Sequence, residues 1–490
     1  MTKQRAVSAK PSDLVLMNGI ELSRAIKSKH VSCVEVMNAY LDHIAQYNPR
    51  VNAIVSLQPR DDLVAQAKER DEELARGEHR GWMHGFPHAV KDLTPVKGLP
   101  FTRGSPIFKD FVAPADAIVV ERMKRAGAII IGKTNTPEFG LGSQTYNDVF
   151  GTTLNPYDLT KTSGGSSGGA GVALALRMLP VADGTDHGGS LRNPGAFNNV
   201  FGFRTAYGRV PAEALDVFNS AMGVGGPMAR TVPDLALLLS VQSGYDARVP
   251  LSIHEDPARF AEALKREVKG KRIAWGGDLF ARHMPFEPGL LELCRKALKS
   301  FEALGCIVEE AVPDFPIEQV FKNWMVLRAW QAGGAILDLY KDPAKRALLK
   351  EEAQFEVESL FKLGAADIVA AAFARTAWYQ AVRKFFERYD YFILPSGQVF
   401  PFAATTHWPS EINGKTMDTY HRWIEIMIPV TMSGCPALNV PAGFNDQGLP
   451  MGLQIVAANH CEQSCLELAY AYDEATRWVE KRPPAMLGLG

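Results

Sequence analysis

A chain of 490 residues exceeds the size at which one hydrophobic core usually stops growing, so one large or two intimate lobes are expected. Its 53 basic and 54 acidic side chains nearly cancel, which leaves no global field to draw it to nucleic acid or to an anionic membrane. Apolar residues at 46% and charged residues at 22% match ordinary globular usage. The six cysteines, at 33, 294, 306, 435, 461 and 465, are scattered, and the one close pair lacks the partner pair of a zinc site, so reduced and mostly buried thiols are expected. The opening text MTKQRAVSAKPSD has no apolar segment of the secretory kind, and no later run reaches the length of a membrane span. A cytoplasmic protein that engages neither membrane nor nucleic acid is the resulting expectation.

Residues 14–74 repeat apolar positions at three and four, as in ELSRAIKSKHVSCVEVMNAYLDHIAQYN, which predicts amphipathic helices. From 84 to 211 the texture changes to short apolar runs separated by stretches dense in Gly, Ser, Thr, Asn and Pro, the pattern of buried strands joined by loops. A helix resumes at 235–241, and 254–388 reads as largely helical, with strand-like breaks near 272–274 and 306–308. The runs at 391–395, 437–441 and 452–456 suit interior strands, and a last helix begins near 463. This alternation predicts an α/β fold: a large mixed, mostly parallel central sheet covered by helices on both faces. The segments expected are an N-terminal helical part (1–80) packed on the core, a core segment (81–245), a mostly helical region (246–390) and a C-terminal return to the core sheet (391–490), all in effectively one compact domain.

Two motif matches mislead. GAIIIGKT at 127–134 satisfies the phosphate-loop pattern, but its strand-like AIII lies between the glycines and Asn135-Thr136-Pro137 stands where a helix must begin. GGSSG at 164–168 satisfies the nucleophile-elbow pattern, yet the preceding NPYDLTKTS is too polar to be the buried strand an elbow requires.

The chemistry concentrates in two glycine-bracketed serines. TSGGSSGGA at 162–170 places Ser166 among glycines that permit close backbone approach, ahead of an alanine-rich helical stretch whose N–H groups are unpaired. VADGTDHGGSLRNP at 181–194 places Ser190 after two glycines, so consecutive N–H groups there can converge on an oxyanion, each worth roughly 3 kcal/mol to an acyl transfer. A serine needs a base, and Lys91 lies in the apolar run FPHAVKDLTPV, where burial would favour the neutral amine. The alternative for Lys91 taken alone is an ordinary ion pair with Asp92.

These residues, with GFPHAVKDLTPVKG at 85–98, GAIIIGKTNTPEF at 127–139, GTDHGGSLRNPGAF at 184–197, YGRVP at 207–211 and GPMARTVPD at 226–234, resemble the amidase signature family, a resemblance that spans most of 10–480. It implies a serine amidase with Ser190 as nucleophile, Lys91 as ultimate base and Ser166, after a cis peptide bond, as the relay between them. It also implies an oxyanion hole at the backbone of His187, Gly188, Gly189 and Ser190, supporting roles for Asp186 and Arg192, and a substrate contact at Gly140, which matches a channel-lining position in a relative. Homodimerisation is a further family-level expectation. His84 and His88 flank Gly85-Phe86-Pro87 and so cannot align on a helix for a metal; no metal and no cofactor are expected.

The chain departs from the family at His187, where Thr, Ile or Ala is commoner, and in AFNN at 196–199 and GFRTAYG at 202–208. A Ser190–His187 dyad is rejected because such a loop presents backbone rather than imidazole to the nucleophile. Trp324, Trp330, Trp378, Trp408 and Trp423, five of eight tryptophans, fall in the middle of the region after residue 245 and suggest an apolar pocket for an aryl or long acyl amide, against the plainer reading as core. Esters and carbamates are accessible to the same acyl-enzyme chemistry. The rival readings are the glutamine-hydrolysing component of an aminoacyl-tRNA amidotransferase and a catalytically silent scaffold or binding protein of the same fold.

Overall fold

The computed structural model describes residues 12–219 and 221–489; the reading of the first eleven residues lies outside this range. Helices Gly19–Lys27 and Cys33–Val51 each begin with a reciprocal cap, Asn18 with Glu21 and Ser32 with Glu35, which satisfies N–H groups a helix start leaves free. The first is tied to the body by the buried Asp234, whose carboxylate accepts from the N–H groups of Gly19 and Ile20 at 2.8 and 2.9 Å. The helical reading of 14–74 therefore holds, with a two-residue strand, β1 (Ile54–Val55), between helices Cys33–Val51 and Arg60–Ala75.

β1 joins a small sheet with β2 (Pro87–Lys91) and β3 (Ile129–Thr134), in which β2 and β3 run parallel. The main sheet has eight strands: β4 (Ala182–Asp186), β5 (Phe201–Arg204), β6 (Val224–Ala229), β7 (Arg272–Trp275), β8 (Ile307–Glu310), β9 (Tyr391–Pro395), and, beyond a hairpin of β10 (Glu411–Ile412) and β11 (Lys415–Thr416), β12 (Ala437–Phe444) and β13 (Pro450–Val456). Their spatial order is β4-β6-β5-β12-β13-β9-β7-β8.

The expected large mixed sheet with helices packed on it is present, but its parallel share is smaller than expected. Only β9–β7 and β7–β8 pair in parallel; the other five junctions are antiparallel. At the β12–β13 junction the cause is local: Asn445 accepts on its side-chain oxygen from the N–H groups of Gln447 and Leu449, and Gly448 takes φ +76°, so β12 returns directly as β13 in a hairpin rather than through a helix. β5 and β6 are hidden in the sequence because FGFR and VGGPMA carry glycine and proline in place of the β-branched residues of a strand. Among the described residues no helix is long and apolar enough to cross a membrane.

One hydrophobic core runs through all of these parts. A second, small cluster of Leu141, Ile336, Leu349, Ala353 and Val357 packs helices Gly334–Lys341 and Glu351–Leu360 over the loop that carries Gly140. Of the tryptophans, Trp324, Trp378 and Trp423 are fully buried core residues, so the plainer reading applies to most of that set.

Candidate active site

β2 delivers Lys91 from its last position into the interior, where the side chain is fully buried. Nζ lies 2.7 Å from Ser166 Oγ, 2.9 Å from Ser167 Oγ and 2.9 Å from Thr185 Oγ1. All three partners are hydroxyls, none of which stabilises a full positive charge as a carboxylate would. Burial accordingly pushes the Lys91 amine from 10.5 down to about 7, against the opposing pull of Asp183 and Asp186. The ion pair with Asp92 does not form. Asp92 instead faces Lys133 of β3 at 3.7 Å and accepts from Thr102 Oγ1, and burial lowers Lys133 to about 8. The lysine of the false phosphate loop thus serves as a structural ion-pair partner inside a strand, with Nζ donating to the carbonyl of Thr94.

Ser166 follows a cis Gly165–Ser166 peptide bond and precedes helix Gly168–Ala175. Gly140, at φ +75°, abuts it: a Cβ built there would stand 3.3 Å from Ser166 Oγ and 2.8 Å from Leu93 Cδ1. The Gly140 loop is held by Glu138, which accepts from Ser105 Oγ at 2.6 Å and from the N–H of Lys350 at 2.9 Å.

Ser190 stands in the loop leaving β4, and its carbonyl accepts from the Ser167 N–H at 3.2 Å, so the two serine loops are joined through their backbones. The loop is shaped by Asp186. Its carboxylate accepts from the N–H groups of Gly189 (3.0 Å) and Leu191 (3.1 Å), from Arg192 Nε and Nη2 (3.0 and 2.9 Å), and from Arg204 Nη1 (3.2 Å), and Asp186, Arg192 and Arg204 are all fully buried. Burial alone would raise this carboxyl, but the Arg192 guanidinium, then Arg204 and the Leu191 N–H, hold it well below the ordinary carboxylate range. Arg192 continues to the far end of the chain, donating to Met427 O, Gln454 Oε1 and Thr431 Oγ1, while Thr431 donates to His187 O at 2.6 Å.

Of the four residues expected to offer N–H groups, Gly189 has its own committed to Asp186. Those of His187, Gly188 and Ser190 have no acceptor among the described residues. The His187 ring stacks edge-on against Trp324 at 6.1 Å and makes no hydrogen bond to Ser190. Burial, then the nearby Arg328 charge, holds its imidazole well below 6.5 and so neutral. The ring lines a cavity of about 240 Å³ to which Val210, Val217, Val224 and Val249 contribute apolar surface and Tyr207 and Gln331 polar groups.

Sequence reasoning thus reached Lys91, Ser166, Ser190, Asp186, Arg192 and Gly140, which the fold brings to one place. It missed Ser167, Thr185 and Arg204. The first two lie inside the motifs already singled out, and Arg204 inside the divergent GFRTAYG text, where it supplies Asp186 with a second cation. Among the described residues no three His, Cys, Asp or Glu side chains cluster as a metal site would require.

A family model described as Amidase matches residues 35–466. The chain belongs to the amidase family. It is an amide-hydrolysing enzyme in keeping with that membership. An acylamidase of Rhodococcus erythropolis is 34% identical over 474 residues, which is 95% of this amidase and 97% of the relative. The A component of the glutamyl-tRNA(Gln) amidotransferase of Thermosynechococcus vestitus is 34% identical over 486 residues, or 94% and 98% of the two chains. Among solved structures, a bacterial aryl acylamidase of the amidase signature enzymes superposes with a TM-score of 0.89 at 29% identity, covering 98% of this amidase and 100% of that chain. The corresponding amidotransferase component of Thermotoga maritima gives 0.76 at 27% identity, with 94% and 95% covered.

Proposed function

We propose that this amidase is an acylamidase for aryl or other apolar amides, working through Ser190 as nucleophile, Ser166 as proton relay and Lys91 as base. The observation that carries the reading is the buried Lys91 amine, lowered to about 7 and set 2.7 Å from Ser166 Oγ. A neutral Lys91 takes the Ser166 proton as Ser166 takes that of Ser190, and Ser190 Oγ bonds to the carbonyl carbon. The oxygen that becomes negative is met by the N–H groups of His187, Gly188 and Ser190. On collapse the C–N bond breaks, the proton held on Lys91 passes back through Ser166 to the departing nitrogen, and the amine leaves. Water then repeats the sequence on the acyl-enzyme and releases the acid. Esters and carbamates enter the same cycle with a different leaving group.

The largely apolar pocket beside His187, about 240 Å³, supports an aryl or branched substituent, since apolar-lined pockets of this kind commonly take such groups. A glutaminase role finds support in the amidotransferase relative of equal identity, but the higher structural similarity to the aryl acylamidase and the valine walls favour the acylamidase.

The test is amine release from a panel of acyl anilides and aryl carbamates, with glutamine alongside, by the purified chain and by Ser190→Ala. Anilide turnover falling by about 10⁴-fold or more in the variant is the expected result. Turnover of glutamine alone, or an undiminished Ser190→Ala, would overturn the proposal. Gly140→Ala, which forces a methyl between Leu93 and Ser166, is expected to lower kcat by up to about 100-fold through displacement of the relay, read in the same assay.

A further inference from the structure

Behind the Ser190 loop lies a buried charged cluster for which the proton relay has no use. Glu356, 1% exposed, accepts from Arg328 Nε at 2.6 Å and from the Tyr420 hydroxyl on a single carboxylate oxygen, Oε1, and His421 Nε2 lies 2.9 Å from both that oxygen and Arg328 Nε. The four residues come from three places: helix Ile317–Arg328, helix Glu351–Leu360 and the turn before residue 422. Gly333 makes the approach feasible, because a Cβ there would stand 2.5 Å from the Glu356 carbonyl.

Charged groups taken out of water in this way are an expensive means of holding a fold together, and apolar residues of the same volume would commonly serve as well or better. What the cluster does hold is Trp324. The Arg328 guanidinium lies over the indole at 5.2 Å, and the His421 ring meets it edge-on at 5.2 Å. The indole also reaches the Ser190 loop: it meets the His187 ring, and its Cζ2 stands 3.6 Å from a Cβ built on Gly188, the space that residue leaves open. Ile424, just beyond His421 in the chain, stands 3.2 Å from the same point.

We infer that Trp324, held by Glu356 through Arg328 and His421, is a positioning residue that backs the oxyanion loop and fixes the direction of the His187 and Gly188 N–H groups. The inference rests on the proposed role of that loop in acyl transfer. It gives the region between 317 and 360 a part in catalysis besides any part in substrate choice.

A loop that is merely propped up and one that is aimed differ in what their loss costs. An aimed loop loses binding of the tetrahedral state while ground-state binding is kept, so kcat falls and KM does not. Trp324→Phe, Glu356→Gln and Tyr420→Phe would be compared with the unmodified enzyme for kcat and KM on one anilide. A second measurement is affinity for an aryl trifluoromethyl ketone, whose carbonyl carbon bonds to Ser190 Oγ and whose oxygen becomes an alkoxide in the hole; the adduct is followed by fluorine NMR.

Trp324→Phe and Glu356→Gln are expected to lower kcat by about ten-fold or more, to weaken the ketone in parallel and to leave KM within about two-fold. Tyr420→Phe, which removes one hydroxyl, is expected to have the same signature at a smaller size. Should Glu356→Gln fail to fold, Trp324→Phe and Tyr420→Phe carry the test. Unchanged kcat and ketone affinity in a folded Trp324→Phe, or a change confined to KM, would overturn the inference. If ketone affinity follows the variants while no amide is turned over by the unmodified enzyme, positioning stands and the acylamidase reading falls.

Discussion

Lys91→Met is expected to lower kcat by about 10⁴-fold while leaving the fold intact, because methionine fills the buried space and asks for no proton. In the unmodified enzyme the same residue sets the pH dependence. Burial holds the amine at about 7, below its ordinary 10.5, so the competent neutral form accumulates as pH rises through about 7. The profile of kcat/KM should therefore climb across that value and level off above it, reporting the free enzyme's base. A rate that is flat between about pH 5 and 9, or Lys91→Met retaining a tenth of kcat, would remove Lys91 from the mechanism. Lys91→Arg is not expected to rescue, since a guanidinium stays protonated throughout this range.

Asp186→Ala should act on stability as strongly as Lys91→Met acts on rate. It leaves Arg192 and Arg204 buried without their carboxylate, a loss of about 3 to 5 kcal/mol, and frees the Gly189 and Leu191 N–H groups that fix the nucleophile loop. A lowered denaturation midpoint or insoluble protein is expected, with Asp186→Asn intermediate because its side-chain oxygen still accepts; unchanged chemical stability in Asp186→Ala would contradict this account. The carboxyl titrates below its unfolded value, so its contribution is complete above about pH 4 and is lost as pH falls toward the folded value. Acid denaturation should accordingly begin at a higher pH in a variant already weakened at this cluster than in the unmodified enzyme.

What is legible in the sequence is what local chemistry announces. Glycines on either side of Ser166 and Ser190 mark places where backbone must come close to something, and a lysine in an apolar run marks burial. Pairing is less legible, because partners far apart in sequence outcompete neighbours. Asp92, adjacent to Lys91, is engaged by Lys133 from the next strand, while Lys91 is met by Ser167 and Thr185, which lie 76 and 94 residues further along the chain. The strand content of Val224–Ala229 is concealed by two glycines and a proline, which are accepted there because β6 is held between β4 and β5 and needs little intrinsic preference. The tryptophans show the limit of composition as a guide. Their clustering in the middle of the region after residue 245 suggests a pocket, whereas three of them are core, and of those three Trp324 reaches the site only at Gly188 and the ring of His187.

The reach of Arg192 to Met427, Thr431 and Gln454 also bears on how the protein is made. The motifs that bear the nucleophile are complete by residue 197, but the guanidinium that braces them finds its last ligand on β13, near the C-terminus. A ribosome must deliver the polypeptide through residue 454 before the serine can be braced in place. A chain arrested before residue 454, or a fragment bounded by the recognisable motifs alone, is expected to release no amine, and the protein would acquire its activity late and all at once.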